Sequence, residues 1–209
     1  MINKEHALFG WIKYSMAAVA LVGVGTGAVY VSGAFAPKQC STAAIAGGKA
    51  AIGGDFTLVN HLGETVTDKD IITGPTLIYF GYTYCPDVCP IDAARNAEAI
   101  DILDAEGISV QPVFISIDPE RDTVSALADF VEVIHPRMIG LTGSLDQVST
   151  ASRAFKTYFS KNGKGDDYLM DHTTFTYLMG TDGLWEFYRR DLTAEQVAES
   201  VACFVGEKV

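Results

Sequence analysis

The residues of this chain best suited to chemistry are Cys85 and Cys89, two thiols separated by three residues, each followed by proline, in Tyr79-Phe80-Gly81-Tyr82-Thr83-Tyr84-Cys85-Pro86-Asp87-Val88-Cys89-Pro90. The thiolate is both the soft-metal ligand and the nucleophile that attacks disulfides, so the pair reads as a metal grip, a redox couple, or two buried apolar residues. Redox pairs usually have two intervening residues, so the wider spacing weakens simple dithiol exchange without removing it. A helix begun at Pro86 would put Pro90 where its missing N–H breaks a bond, whereas one begun at Pro90 loses nothing. The prolines therefore predict Cys85 in a turn and Cys89 at a helix N-terminus, where the partial positive charge favours thiolate.

A third donor is His172, in Asp166-Asp167-Tyr168-Leu169-Met170-Asp171-His172-Thr173-Thr174, between a polar loop and a predicted strand. Alone it is an ordinary loop histidine. Beside two thiolates it makes a three-coordinate site suited to Cu(I), and sulfur and nitrogen donors together also hold Cu(II). Asp171 is placed to orient the imidazole or the loop, or to cap a strand end. Asp118, Arg121 and Asp122 fall at the same sheet edge as the cysteines, where they line the site, dock a partner or form a turn. The expected metal ligands are thus Cys85, Cys89 and His172, with Asp171 and Asp118 behind them. The two cysteines are also the candidate redox-active pair. His61 reads as a solvated turn residue and His135 as a helix C-terminal charge.

The frame that must hold these residues begins near Gly54. Phe56–Val59 and Thr65–Thr67 suit a hairpin with a glycine-containing turn. Thr76–Phe80 is an apolar strand of the kind buried on both faces, and it delivers the cysteines to its carboxyl end. A helix over Pro90–Glu106 stops at Gly107, a second buried strand spans Val110–Ile117, and Asp118–Thr123 caps a helix over Val124–Ile134. A short strand at Met138–Leu141, a helix over Ser144–Phe159 and a mobile polar loop at Lys161–Asp167 follow. Phe175–Gly180 and Leu184–Tyr188 form a hairpin around Thr181-Asp182-Gly183, and Thr193 opens a last helix. Alternation of strand and helix after the cysteines, closed by a hairpin and a helix, predicts an α/β thioredoxin-like sandwich with right-handed crossovers.

Ahead of this domain, Tyr14–Ala36 runs 23 residues without a charge, enough to cross a hydrocarbon core of roughly 30 Å. The reading is a cytoplasmic tail over 1–13, a transmembrane anchor over 14–36, a flexible glycine-rich tether over 37–53 and a periplasmic domain over 54–209. A cleaved signal peptide ending at Ala34-Phe35-Ala36 is the alternative. Gly23 and Gly27 form a weak helix-packing motif. No arginine precedes Arg95, which argues against a mitochondrial transit sequence and for a bacterial inner membrane. With 15 basic against 26 acidic residues the net charge is −11, and no basic face suggests nucleic acid. Of the remaining cysteines, Cys203 reads as a small buried hydrophobe and Cys40 as free or intermolecularly paired.

Three blocks of the chain, YFGYTYCPDVCP (Tyr79–Pro90), FISIDPERDT (Phe114–Thr123) and DYLMDHT (Asp167–Thr173), resemble in this order the motifs of the Sco/SenC proteins. The resemblance covers roughly Gly54 to Val205. It implies a membrane-tethered thioredoxin-like domain, copper ligation by Cys85, Cys89 and His172, and a role in assembling the binuclear copper A centre of cytochrome c oxidase subunit II. An upstream periplasmic copper chaperone or thiol reductant is a further implied partner. Tyr84 stands where many members have histidine, a departure not expected to change the ligand set. The competing expectation is a metal-independent thiol-disulfide oxidoreductase or redox sensor that uses Cys85 and Cys89 alone.

Overall fold

The computed structural model describes Cys40 and residues 51–208. The tail, the 14–36 span, Gly23, Gly27 and most of the tether lie outside the described residues. No helix among the described residues is long and apolar enough to cross a membrane.

In chain order the elements are β1 (Thr57–Asn60), β2 (Thr65–Thr67), α1 (Asp68–Ile71), β3 (Thr76–Gly81), α2 (Val88–Ala105), β4 (Gln111–Ser116), α3 (Val124–Ile134), β5 (Ile139–Thr142) and α4 (Leu145–Ala154). They continue as β6 (Phe159–Asn162), β7 (Leu169–His172), β8 (Thr176–Gly180), β9 (Gly183–Tyr188) and α5 (Ala194–Lys208). One seven-stranded sheet has the order β2-β1-β5-β4-β3-β8-β9, and β6 pairs with β7 separately. Parallel pairing of β3 with β4 and of β4 with β5, then antiparallel β8 and β9, is the arrangement of a thioredoxin-like sandwich.

β3 is buried along its whole length, as its apolar run requires in a strand covered on both faces. Leu77 packs with Ile100, Leu103, Val201 and Phe204, which belong to α2 and α5, and these two helices pack on each other. On the opposite face Phe80 meets Phe155, just past α4, with ring centroids 5.3 Å apart. Where β3 leaves the sheet, a Cβ on Gly81 would stand 2.9 Å from Tyr79 Cε1 and 3.0 Å from two Phe114 ring atoms. Glycine therefore lets β3 run to the sheet edge without displacing those rings.

α2 starts two residues before Pro90, so proline occupies the third helical position, where its missing N–H is again no loss. α3 is capped by Thr123 Oγ1, which accepts from Ala126 N–H at 3.2 Å. α4 opens with a reciprocal Ser144–Gln147 capping box. It ends at Ala154 rather than Phe159, because the chain turns into the left-handed region at Lys156 (φ 55°). Phe159 instead begins β6, and the expected loop is only the tip of a β6–β7 hairpin in which Phe159 pairs with His172.

Cys40 and Cys203 are disulfide-bonded to each other, with Cα atoms 5.6 Å apart and a sequence separation of 163. This corrects both readings of these cysteines: Cys203 on α5 is a covalent anchor, and Cys40 is paired within its own chain. The bond fixes one point of the tether segment to the last helix.

Candidate metal centre

The Cys85 loop leaves the carboxyl end of β3 and leads into α2, and β7 ends on His172 beside Cys89, the side of an α/β sheet where ligand sites are expected. Cys85 and Cys89 are both free thiols and both buried, Cys89 fully. The backbone N–H of Cys89 donates to Cys85 Sγ at 3.3 Å, so the outer sulfur serves one of the orphan donors of the helix terminus. Asp87, the residue before α2, makes no side-chain cap. The helix-terminal amide is thus spent on the Cys85 sulfur rather than on Cys89. Burial pushes the Cys89 thiol well up, against the expectation that its helix position would make it a ready thiolate.

His172 approaches from the end of β7 and sets Nε2 3.4 Å from Cys89 Sγ. Its Nδ1 lies 2.9 Å from the carbonyl oxygen of Thr173. A carbonyl only accepts, so Nδ1 carries the hydrogen, and in the neutral ring Nε2 keeps its lone pair facing the thiol. Burial holds the imidazole below its ordinary value, which favours that neutral, donor-ready form. The rings of Tyr79 and Tyr82 stand edge-on to it, with centroids 6.3 and 5.9 Å away, and wall the imidazole on two sides.

The donor set fits a soft metal ion. A sulfur and a nitrogen sharing one ion at bonds of about 2.3 and 2.0 Å stand roughly 3.5–4 Å apart, close to the Cys89–His172 spacing. Cys85 is farther out. Among the described residues the one trio of His, Cys, Asp or Glu donors within 4.8 Å of one another is Asp101, Asp104 and His135, so Cys85, Cys89 and His172 are not yet that tight. Drawing in the Cys85 loop would close the three donors around an ion. The other trio is a hydrogen-bonded corner: His135 Nδ1 accepts from Arg137 N–H at 3.1 Å, which leaves Nε2 to donate toward Asp101 at 3.5 Å.

The carboxylates sort by what they hold. Asp171 accepts from Asn162 Nδ2 across the hairpin at 3.0 Å, while the imidazole is held by the Thr173 carbonyl. Asp118 takes Tyr168 Oη at 2.7 Å and Arg121 Nε at 2.6 Å, and so braces the hairpin that carries His172. Asp122, fully buried, accepts from Thr83 N–H, from Thr83 Oγ1 at 2.7 Å and from Ser116 Oγ at 2.6 Å, and so braces the loop that carries Cys85. Burial raises its carboxyl above the ordinary value in spite of those donors.

Several residues that shape the site were not singled out in the sequence. Tyr79 donates to Asp92 Oδ2 at 3.0 Å, and Asp92, buried on α2, also accepts from Arg190 Nε at 3.1 Å. A signal was present: Cys89, Asp92 and Asn96 recur at helical spacing on one stripe with Ala93, Ile100 and Leu103, all of them buried. A carboxylate on such a stripe needs a partner.

Comparison with known proteins shows that residues 45–206 match the SCO1/SenC family model. The chain is 52% identical over 158 residues to Protein SenC of Rhodobacter capsulatus, covering 75% of this chain and 72% of that one. Among solved structures it is similar to Arabidopsis thaliana ScoI with copper bound (39% identity, TM-score 0.71, 75% of this chain and 99% of that one). It is also similar to BsSco, described as a member of the Sco family of cytochrome c oxidase assembly proteins in which a disulfide switch was identified (28% identity, TM-score 0.59, 72% and 91%).

Proposed function

Because the chain belongs to the SCO1/SenC family, we propose that it is a membrane-tethered copper carrier that delivers its ion to the binuclear copper A site of cytochrome c oxidase subunit II. Copper is its cargo, held by Cys85, Cys89 and His172. The observation that carries this reading is a buried thiol 3.4 Å from an imidazole nitrogen whose lone pair faces it, with a second free thiol four positions earlier whose sulfur accepts from the Cys89 amide. The copper-bound state of the similar Arabidopsis protein and the oxidase-assembly role ascribed to BsSco point the same way. Residues 14–36 anchor the protein in a bacterial inner membrane, with the tail over 1–13 inside and the domain over 54–209 in the periplasm. The Cys40–Cys203 disulfide supports an oxidising compartment.

Both sulfurs must be thiols or thiolates for loading, so a Cys85–Cys89 disulfide has to receive two electrons and two protons from a thiol reductant before copper enters. The test is anaerobic Cu(I) and Cu(II) titration of the full chain in detergent. The wild type is expected to take one copper, and Cu(II) is expected to show a sulfur-to-copper charge-transfer band. Unchanged Cu(II) binding and an unchanged band in His172→Ala would overturn the three-donor site.

A second reading, a thiol-disulfide reductase or redox sensor that works without metal, draws on the adjacency of the two thiols. It predicts that His172→Ala reduces a disulfide in the subunit II copper-site peptide as fast as the wild type does. The carrier reading predicts that the same variant fails to metallate it.

A further inference from the structure

Ligand geometry alone assigns no task to Arg121, yet this side chain touches both limbs of the site. Its Nε donates to Asp118 Oδ2 at 2.6 Å, and Nη1 reaches the backbone oxygens of Tyr168 at 3.0 Å and Asp166 at 3.3 Å. Tyr168 immediately precedes β7, the strand that ends on His172, so holding its carbonyl fixes the strand's point of entry. The guanidinium carbon also lies 3.6 Å from the centroid of Tyr168 and 4.8 Å from that of Tyr84. Tyr84 is the residue before Cys85 and is 58% exposed, so its ring covers the guanidinium from the solvent side. The cation therefore lies over a ring from the cysteine loop and a ring from the histidine hairpin.

The chemistry of this contact is particular to arginine. A flat, weakly hydrated guanidinium can stack on aromatic faces while its edge donates in the ring plane to carbonyls and a carboxylate. A lysine ammonium supplies the charge but not the fork. The buried Asp118 balances that charge and at the same time accepts the Tyr168 hydroxyl, so the cation, carboxylate and phenol are directly connected, while Arg121 Nη2 is buried without a hydrogen-bond partner. Asp122, the next residue, separately holds Thr83. Two neighbouring residues of one turn thus grip both approaches to the metal donors.

We propose that Arg121 is a positioning residue of the copper site, clamping the Cys85 loop to the His172 hairpin by lying over Tyr84 while holding the Tyr168 and Asp166 carbonyls. The inference rests on the copper-carrier reading for its purpose. Its geometric content concerns the metal-free protein. Without the clamp the two limbs move independently, and donors from two mobile limbs meet less often than donors from one rigid frame.

The test compares Arg121→Gln, Arg121→Lys, Tyr84→Ala and Tyr84→Phe in the full chain, with amide hydrogen exchange in the metal-free state and Cu titration as the two readouts. Arg121→Gln and Arg121→Lys are expected to speed exchange in both the 83–89 and 166–172 segments. They are also expected to lower copper affinity by roughly 10–100-fold, the usual effect of removing a group that orients a ligand, with a shifted charge-transfer band. Tyr84→Phe keeps the ring and is expected to match the wild type in both readouts, while Tyr84→Ala speeds exchange in 83–89. Faster exchange confined to 166–172, or wild-type affinity and spectrum in Arg121→Gln, would overturn the clamp. Should the wild type take no copper, the exchange comparison still decides the clamp, and the carrier reading alone falls.

Discussion

At the scale of single residues, the site depends on which nitrogen of His172 carries its hydrogen. The Thr173 carbonyl answers this by accepting from Nδ1, so the free lone pair is on the nitrogen next to Cys89. Burial of that neutral ring has a consequence for stability. A group whose folded pKa lies below its ordinary value contributes stability that is complete above that value and is lost as pH falls through the folded pKa. The metal-free protein should therefore lose stability from about pH 6.5 downward as His172 is forced to charge. His172→Gln, which cannot titrate there, should flatten this part of the profile. Denaturant unfolding at a series of pH values between about 7.5 and 5 would show it, and parallel profiles for the two proteins would contradict it.

At the scale of elements, β3 is the strand whose end sets the Cys85 loop, and Gly81 is its tightest point. Gly81→Ala would drive a methyl group against the Tyr79 and Phe114 rings, which are packed in the core. The expected loss is about 1–3 kcal/mol, measured by equilibrium unfolding, with the sulfur-to-copper band altered because Tyr79 also walls His172. β3, β4, α2, α3 and the β8–β9 hairpin could be read from the chain because apolar runs, caps and turn residues agree at each of them. The β6–β7 hairpin could not. Ser160-Lys161-Asn162 offers no alternation, and Leu145, Val148, Ala151, Phe155 and Phe159 continue a helical spacing past the point where Lys156 turns the backbone. Position along the sequence suggested the three donor residues. The tautomer of His172, the outward setting of Cys85 and the division of work between Asp118 and Asp122 depend on contacts between segments distant in sequence, and no local pattern carries those.

At the scale of the whole molecule, the Cys40–Cys203 bond joins two points with almost the entire described domain between them. In the chain-entropy account, a closed loop of this length restrains the unfolded chain by up to about 5 kcal/mol, and native disulfides typically contribute about 2–4 kcal/mol. Replacing both cysteines by serine should lower the unfolding free energy by about 2–5 kcal/mol. Copper binding should be retained, since neither sulfur belongs to the Cys85, Cys89 and His172 set. Calorimetry alongside copper titration separates the two effects. A large loss of copper binding with no loss of stability would mean that the bond serves the site rather than the frame.

The same bond makes the domain topologically a ring, and cutting a ring once does not divide it. The exposed tip of the β6–β7 hairpin includes Lys164, within reach of trypsin. A chain nicked there should keep its full mass in electrophoresis without reductant and separate into two fragments only when the disulfide is reduced. Cys85, Cys89 and His172 lie on opposite sides of that nick, two upstream and one downstream, so in the cut protein the donors would still belong to one covalent molecule.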